Sequence, residues 1–224
     1  MISRRVLFLG APGAGKGTQA QRICAEDSLA HLSTGDLLRA AVKAGTDAGK
    51  RAQSAMESGG LVQDDILFDV LFDRLSEVSD AFVLDGFPRN LSQAEELADR
   101  LNRSNLSLDV VIDLDVPEEA LIRRLTGRRI CKLCGSNFHQ EWAPTAVEGV
   151  CDHCGGDTYQ RADDDEATAR HRLSVYQKET EPLKRYYEGL GLLVTVNGDQ
   201  SIDRVTNDIR EVLLGEVSGE SKHG

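Results

Sequence analysis

The chain has 224 residues, 28% charged and 40% hydrophobic, with a formal net charge of -11. This suits one soluble domain with insertions and a substantial core. The acidity argues against a main role on nucleic acid or an anionic membrane, so an anionic ligand must be met by local basic clusters. No apolar stretch approaches the roughly 20 residues that span a bilayer. The run Val6 to Leu9, behind Ser3-Arg4-Arg5, is too short for a secretory segment. A cytoplasmic protein with reduced thiols is expected.

In chain order, Val6-Leu7-Phe8-Leu9 reads as a buried strand. It enters the glycine-rich turn Gly10-Ala11-Pro12-Gly13-Ala14-Gly15-Lys16-Gly17-Thr18, and a helix runs from Lys16 to about Glu26. Residues 31–65 read as helical, with no strong strand. Ala81 to Asp85, Val110 to Leu114 and Leu192 to Val196 are further short apolar runs. Helical patterns cover Leu91 to Arg103, Pro117 to Arg128, Glu166 to Tyr187 and Ile202 to Leu214. Pro117 with Glu118 and Glu119 is a good helix start, because proline suits the first turn and acids complement the helix dipole. Gly215 to Gly224 reads as a frayed end. The alternation predicts an α/β fold with a parallel sheet core and helices on both faces. The core comprises 1–30, 66–127 and 163–224, with insertions at 31–65 and 128–162.

Strand, glycine turn and helix together place backbone N–H groups and a helix N-terminus around a phosphate. Gly10, Gly13 and Gly15 permit the turn and the close approach, and Lys16 supplies a mobile cation. Gly17 stands where a P-loop places its magnesium-binding Ser or Thr. Thr18 follows one residue later, which weakens the case for a direct hydroxyl–magnesium bond. Arg124 and Arg128 are four apart, so they are expected to share one helix face. Asp85 ends an apolar run, where acids of α/β sheets meet ligands. Asp113 and Asp115 also end a run and receive no role.

Cys131-x-x-Cys134 and Cys151-x-x-Cys154 are separated by 16 residues, 135–150. In a reducing compartment this spacing predicts a structural zinc site, with four thiolates and no open position. His139 and His153 are nearby competitors as ligands. The fifth cysteine, Cys24, reads as a small buried apolar residue.

GAPGAGKGT resembles the adenylate kinase family specifically. The stretches Leu32 to Arg39, Leu84-Asp85-Gly86-Phe87-Pro88-Arg89, Gly127-Arg128-Arg129 and Arg161 to Asp165 extend the resemblance over nearly the whole chain. It implies reversible transfer of the terminal phosphoryl group of Mg·ATP to AMP, giving two ADP. It also implies that 31–65 is an AMP-binding insertion and 128–162 a zinc-braced lid.

Carried onto matching residues, the resemblance assigns the ATP phosphates to Lys16 and the loop from Gly10 to Thr18, with Arg124 also on the ATP side. It assigns AMP to Thr34, Arg39, Gly86, Arg89 and Gln93, with Arg161 and Arg172. Arg124, Arg128, Arg161 and Arg172 would converge on the transferring group, and Asp85 would anchor magnesium through water. A monomer acting on ATP, AMP and ADP, without nucleic acid or membrane, is expected.

Pro88-Arg89-Asn90 departs from the family's Pro-Arg-Thr, and Gly60 replaces a frequent basic residue. These keep open a second reading, a UMP/CMP kinase or a GTP-using AMP kinase. A third is a P-loop NTPase or binding module with a zinc ribbon.

Overall fold

The computed structural model describes residues 4–78 and 81–215. The expected frayed end beyond Gly215 lies outside them. Five parallel strands form the main sheet: β1 (Arg5–Leu9), β2 (Ala30–Ser33), β3 (Phe82–Asp85), β4 (Val110–Asp115) and β8 (Leu193–Asn197), in the order β2-β3-β1-β4-β8. Helices α1 (Lys16–Asp27), α2 (Thr34–Ala44), α3 (Asp47–Ser58), α4 (Asp64–Ser76), α5 (Leu91–Arg103), α6 (Glu118–Thr126), α7 (Glu166–Val175), α8 (Leu183–Gly189) and α9 (Ile202–Leu214) complete the helical layers. A small antiparallel sheet, β6-β5-β7, is made by β5 (Arg128–Cys131), β6 (Asn137–His139) and β7 (Thr158–Tyr159).

Side chains alternate across each strand. Val6 and Phe8 enter a cluster with Ile23, Ile112 and Ile209. Leu7 and Leu9 enter the opposite cluster with Leu71, Leu84, Leu97 and Val111. Burial on both faces explains the near-continuous apolar runs. At the carboxyl end of β1, Gly10 turns with φ of 132°, and a Cβ there would lie 2.7 Å from the Leu114 carbonyl oxygen. Only glycine lets the loop pass this close.

Three expectations need correction. Residues 31–65 are not free of strand, because β2 pairs with β3 from Ala30↔Phe82 to Ser33↔Asp85. It is a four-residue edge strand, only half buried at Ala30 and His31, so it lacks the buried apolar run of a central strand. The helix predicted over Pro117 to Arg128 stops at Thr126, and Arg128 opens β5. Arg124 and Arg128 therefore share no helix face. The single helix predicted over Glu166 to Tyr187 is three segments: α7, a π-helical turn at Tyr176–Thr180, and α8 after Pro182. Proline cannot donate to the preceding turn and ends the continuous ladder. The helix α4, for which no element was expected, fills 64–76.

Asp113, one of the acids given no role, is 1% exposed on β4. Lys184 of α8 meets its Oδ2 at 2.8 Å, and Oδ1 has no hydrogen-bond partner among the described residues. Burial raises the Asp113 pKa, against the lowering pull of Lys184. Removing one partner of a buried ion pair costs far more than replacing both. Lys184→Met should lower unfolding stability by about 3 kcal/mol at neutral pH, and adding Asp113→Asn should recover most of it. Urea unfolding of the two variants checks this, and equal losses in both would contradict it.

Candidate active site and metal centre

A cleft of about 1350 Å³ opens at the carboxyl ends of the strands. Gly10, Gly13, Gly15, Lys16, Gly17 and Thr18 form one wall. Gly35, Asp36 and Arg39 of α2 contribute another, as do Asp85, Gly86 and Arg89 after β3. Arg124, Arg128, Arg161 and Arg172 approach from α6, β5, the segment after β7 and α7. Thus Lys16 and six arginines, scattered over more than 150 positions, face one space, with Lys43 and Lys132 also on its lining.

Their environment is unusual for cations. Lys16 donates to the carbonyl oxygens of Gly10 at 2.6 Å and Ala11 at 3.0 Å. Burial lowers its pKa to about 8, with Arg89 and Arg172 adding to the effect and Asp85 opposing it. Burial lowers the Arg89 pKa to about 10, helped by Arg172 and Arg39. Arg161 is likewise held at about 10, by burial and then by Arg128 and Arg39. Crowded, desolvated cations favour a polyanionic ligand, because negative charge relieves both penalties.

Protein carboxylates hold part of this cluster in place. Asp164, fully buried, takes both Arg128 Nε at 2.8 Å and Arg128 Nη2, and also Arg172 Nη1 at 3.1 Å. Arg172 further meets Asp163 Oδ2 at 2.8 Å. Asp36 accepts from Arg39 at 2.5 Å and faces Arg161 at 3.7 Å. In the sequence, Asp163 and Asp164 count only as part of the stretch Arg161 to Asp165 that carries the resemblance. The sequence signal is there, three consecutive acids two residues after Arg161, but nothing in it indicates which arginines they hold.

Not every expected residue faces the cleft. Thr34, at the start of α2, is 1% exposed and donates to the Gly86 carbonyl at 3.0 Å. Gln93 is fully buried, accepts from the Arg89 amide at 2.7 Å and donates to Asp64 at 2.5 Å. Both lie behind the wall they support. Asn90 accepts from the Gln93 amide at 2.9 Å and so caps α5. A threonine could fill that role too, so Asn90 does not speak for a different acceptor.

Asp85 is 8% exposed, with His31 Nε2 3.4 Å from Oδ2. A Cβ on Gly17 would lie 3.4 Å from the same oxygen. The carboxylate therefore stands over the loop beside the position a P-loop gives to Ser or Thr. One carboxylate beside a phosphate cradle suits magnesium, which keeps several waters and binds phosphate oxygens.

The four sulfurs of Cys131, Cys134, Cys151 and Cys154 all lie within 4.8 Å of one another. The Cys131–Cys154 and Cys134–Cys151 separations are 3.4 and 3.5 Å. A tetrahedral site with Zn–S of about 2.3 Å requires sulfurs about 3.8 Å apart, so the set fits zinc with little adjustment. The amides of Leu133 and Cys134 donate to Cys131 Sγ at 3.4 and 3.5 Å, stabilising thiolate. His139 and His153 stand outside the cluster. The former stacks on Trp142 with ring centroids 4.1 Å apart, and the latter packs on Phe138. Cys24 is packed against the core, and burial pushes its thiol up to about 12, as an inert side chain requires.

The adenylate kinase family model matches residues 8–192. The chain belongs to the adenylate kinase family. It is 50% identical over 211 residues to the adenylate kinase of Thermodesulfovibrio yellowstonii, covering 93% of this chain and 98% of that one. It is 48% identical over 212 residues to that of a Geobacillus species, covering 94% and 98%. To that of Desulfitobacterium hafniense it is 47% identical over 211 residues, covering 93% and 97%. Members of this family are phosphotransferases acting on nucleoside monophosphates. The parallel sheet, the helical layers and the four-cysteine cluster agree with that membership. Among the described residues, no helix is long and apolar enough to cross a membrane.

The small sheet around the cysteines has few buried apolar residues, so a metal would supply its stability. Chelating zinc, or Cys131→Ser, should lower Tm by several degrees while activity at low temperature falls much less. Calorimetry with elemental analysis of undialysed protein checks this. A metal-free protein with unchanged Tm would contradict it.

Proposed function

We propose that the protein is a cytoplasmic, monomeric enzyme that transfers the terminal phosphoryl group of Mg·ATP to AMP, giving two ADP, reversibly. The observation that carries this is the convergence of the phosphate loop, Lys16 and six arginines on one cleft. Homology over nearly the full chain favours AMP over other acceptors.

In this reading Lys16 and the loop amides hold the outer ATP phosphates. Arg39 and Arg89 meet the AMP phosphate, and Gly86 lines its pocket. Thr34 and Gln93 act from behind the wall. Thr34 fixes Gly86, and Gln93 fixes the Arg89 backbone. The flat His139–Trp142 stack and Arg124 offer surfaces for the donor base.

An oxygen of the AMP phosphate attacks the γ-phosphorus in line. The bond from that phosphorus to its bridging oxygen breaks, and ADP leaves with the electron pair. No general base is needed, because a phosphate monoester with a second pKa of about 6 is already mostly ionised at neutral pH. Among the described residues no glutamate lines the cleft, and the histidine that does, His139, is stacked on Trp142. The charge spread over the moving group is met by Arg128, Arg161 and Arg172. Asp85, through water, would hold magnesium, whose charge would offset that of the phosphates. We further assign residues 34–65 to an acceptor-side unit and 128–162 to a lid whose zinc keeps it stiff enough to close as one piece and exclude water.

The test is phosphoryl transfer from Mg·ATP to AMP, UMP, CMP and GMP in parallel, with a no-acceptor control and with Arg89→Ala beside the parent. AMP should be strongly preferred, yielding ADP. Arg89→Ala should lose about a hundredfold or more in kcat/KM with an unchanged circular dichroism spectrum. Preference for UMP or CMP would reassign the acceptor. ATP hydrolysis without transfer would overturn the kinase reading.

A further inference from the structure

Arg172 is held at its head by Asp163 and Asp164, through contacts of 2.8 to 3.1 Å. Its stem is held by something else. Gly59, the residue that ends α3, lies against the aliphatic part of the side chain. A Cβ placed on Gly59 would come within 2.7 Å of Arg172 Cγ, 3.4 Å of Cδ and 3.1 Å of Thr168 Cγ2. Gly59 also has φ of 76°, where its N–H bonds the Ala55 and Met56 carbonyls to close the helix. The contact joins the helical unit of residues 34–65 to the first turns of α7, and α3 also packs on the 3₁₀ turn Ala162–Asp164 that carries both acids.

The near part of an arginine stem can yield only if the guanidinium moves. Here the guanidinium is fixed by two carboxylates and the Asp163 carbonyl. Any atom added at Gly59 must therefore displace either the acceptor-side unit or the cationic head of Arg172.

We propose that Gly59 is a positioning residue for Arg172. The acceptor-side unit lays bare backbone on the arginine stem, so seating of the acceptor and placement of the guanidinium occur together. Residue 59 must then be glycine for two separable reasons, backbone conformation and the space taken by Arg172. This rests on the role given to Arg172 under Proposed function.

The two reasons can be separated, because Gly45 is a matched control. It ends α2 in the same way, with φ of 68° and bonds to the Ala41 and Val42 carbonyls, but a Cβ there meets nothing within 4 Å. Gly45→Ala should therefore cost only the left-handed backbone penalty, a Tm loss of a few degrees, and leave turnover intact.

The experiment is a cycle of Gly59→Ala, Arg172→Ala and the double variant in the full-length enzyme, with Gly45→Ala beside them, read as kcat and as KM for ATP and AMP. Gly59→Ala should lower kcat about tenfold or more, with KM for ATP little changed. In the Arg172→Ala background, where the stem is gone, Gly59→Ala should cost no more than about twofold. If Gly59→Ala is too unstable to assay, the same cycle is read in Tm. Its extra loss over Gly45→Ala should then vanish once Arg172 is alanine. An equal loss in both backgrounds would overturn the proposal while leaving the role of Arg172 standing. Full activity of Arg172→Ala alone would overturn both.

Discussion

The rest of the structure depends on one electrostatic constraint, the gathering of seven cations into a largely desolvated cleft. Burial is costly for Lys16, Arg89 and Arg161, and repulsion among the cations adds to the cost. The folded chain tolerates the arrangement because nearby acids, Asp164 and Asp85 among them buried, offset it. Asp164 holds Arg128 and Arg172, Asp36 faces Arg39 and Arg161, and Asp85 raises the pKa of Lys16 against its burial. The same acids leave much of the cationic surface open to the cleft. Phosphates then complete a charge balance that the protein has met only in part. A net charge of -11 is thus compatible with a site built for polyanions, because Lys16 and six arginines gather at one cleft.

The sheet supplies the reference frame. The loop after β1 cannot drift, because Gly10 lies on the Leu114 backbone. Asp85 and Gly86 are fixed by the end of β3, and Thr34 ties α2 to Gly86. Arg128 and Arg161, where the chain enters and leaves the small cysteine sheet, are tied to Asp164 and to Asp36 of α2 respectively. That sheet has little core of its own, so the four thiolates and a metal take over what apolar packing does elsewhere. Stiffness matters there because Arg128 opens β5, three residues before Cys131.

How legible this was depends on the kind of information each feature carries. The central strands stood out because they are buried on both faces and read as apolar runs. The cysteine cluster stood out because its spacing is itself the geometry. β2 did not, since a short, half-buried edge strand with a histidine has no periodic signature. The end of α6 was overrun because Arg128 continues the helical spacing of Arg124, and only the pairing of Arg128 with His139 makes it a strand. Pro182 was a visible stop signal within the pattern from Glu166 to Tyr187, and it outweighed the surrounding periodicity. The arginines were found through resemblance, while their partners were not. Which acid holds which arginine is tertiary information, as is the fact that Gln93 and Thr34 stand behind the wall and not on it.

The measurement that tests the account most directly is the turnover of Asp164→Asn at saturating ATP and AMP. The change keeps the shape and removes one charge, so Arg128 and Arg172 lose their common anchor. The account predicts a folded protein with turnover lowered about a hundredfold, because a catalytic group displaced by an ångström costs that much. Turnover equal to the parent's would contradict it, and would mean that these arginines are placed by something other than the buried acid.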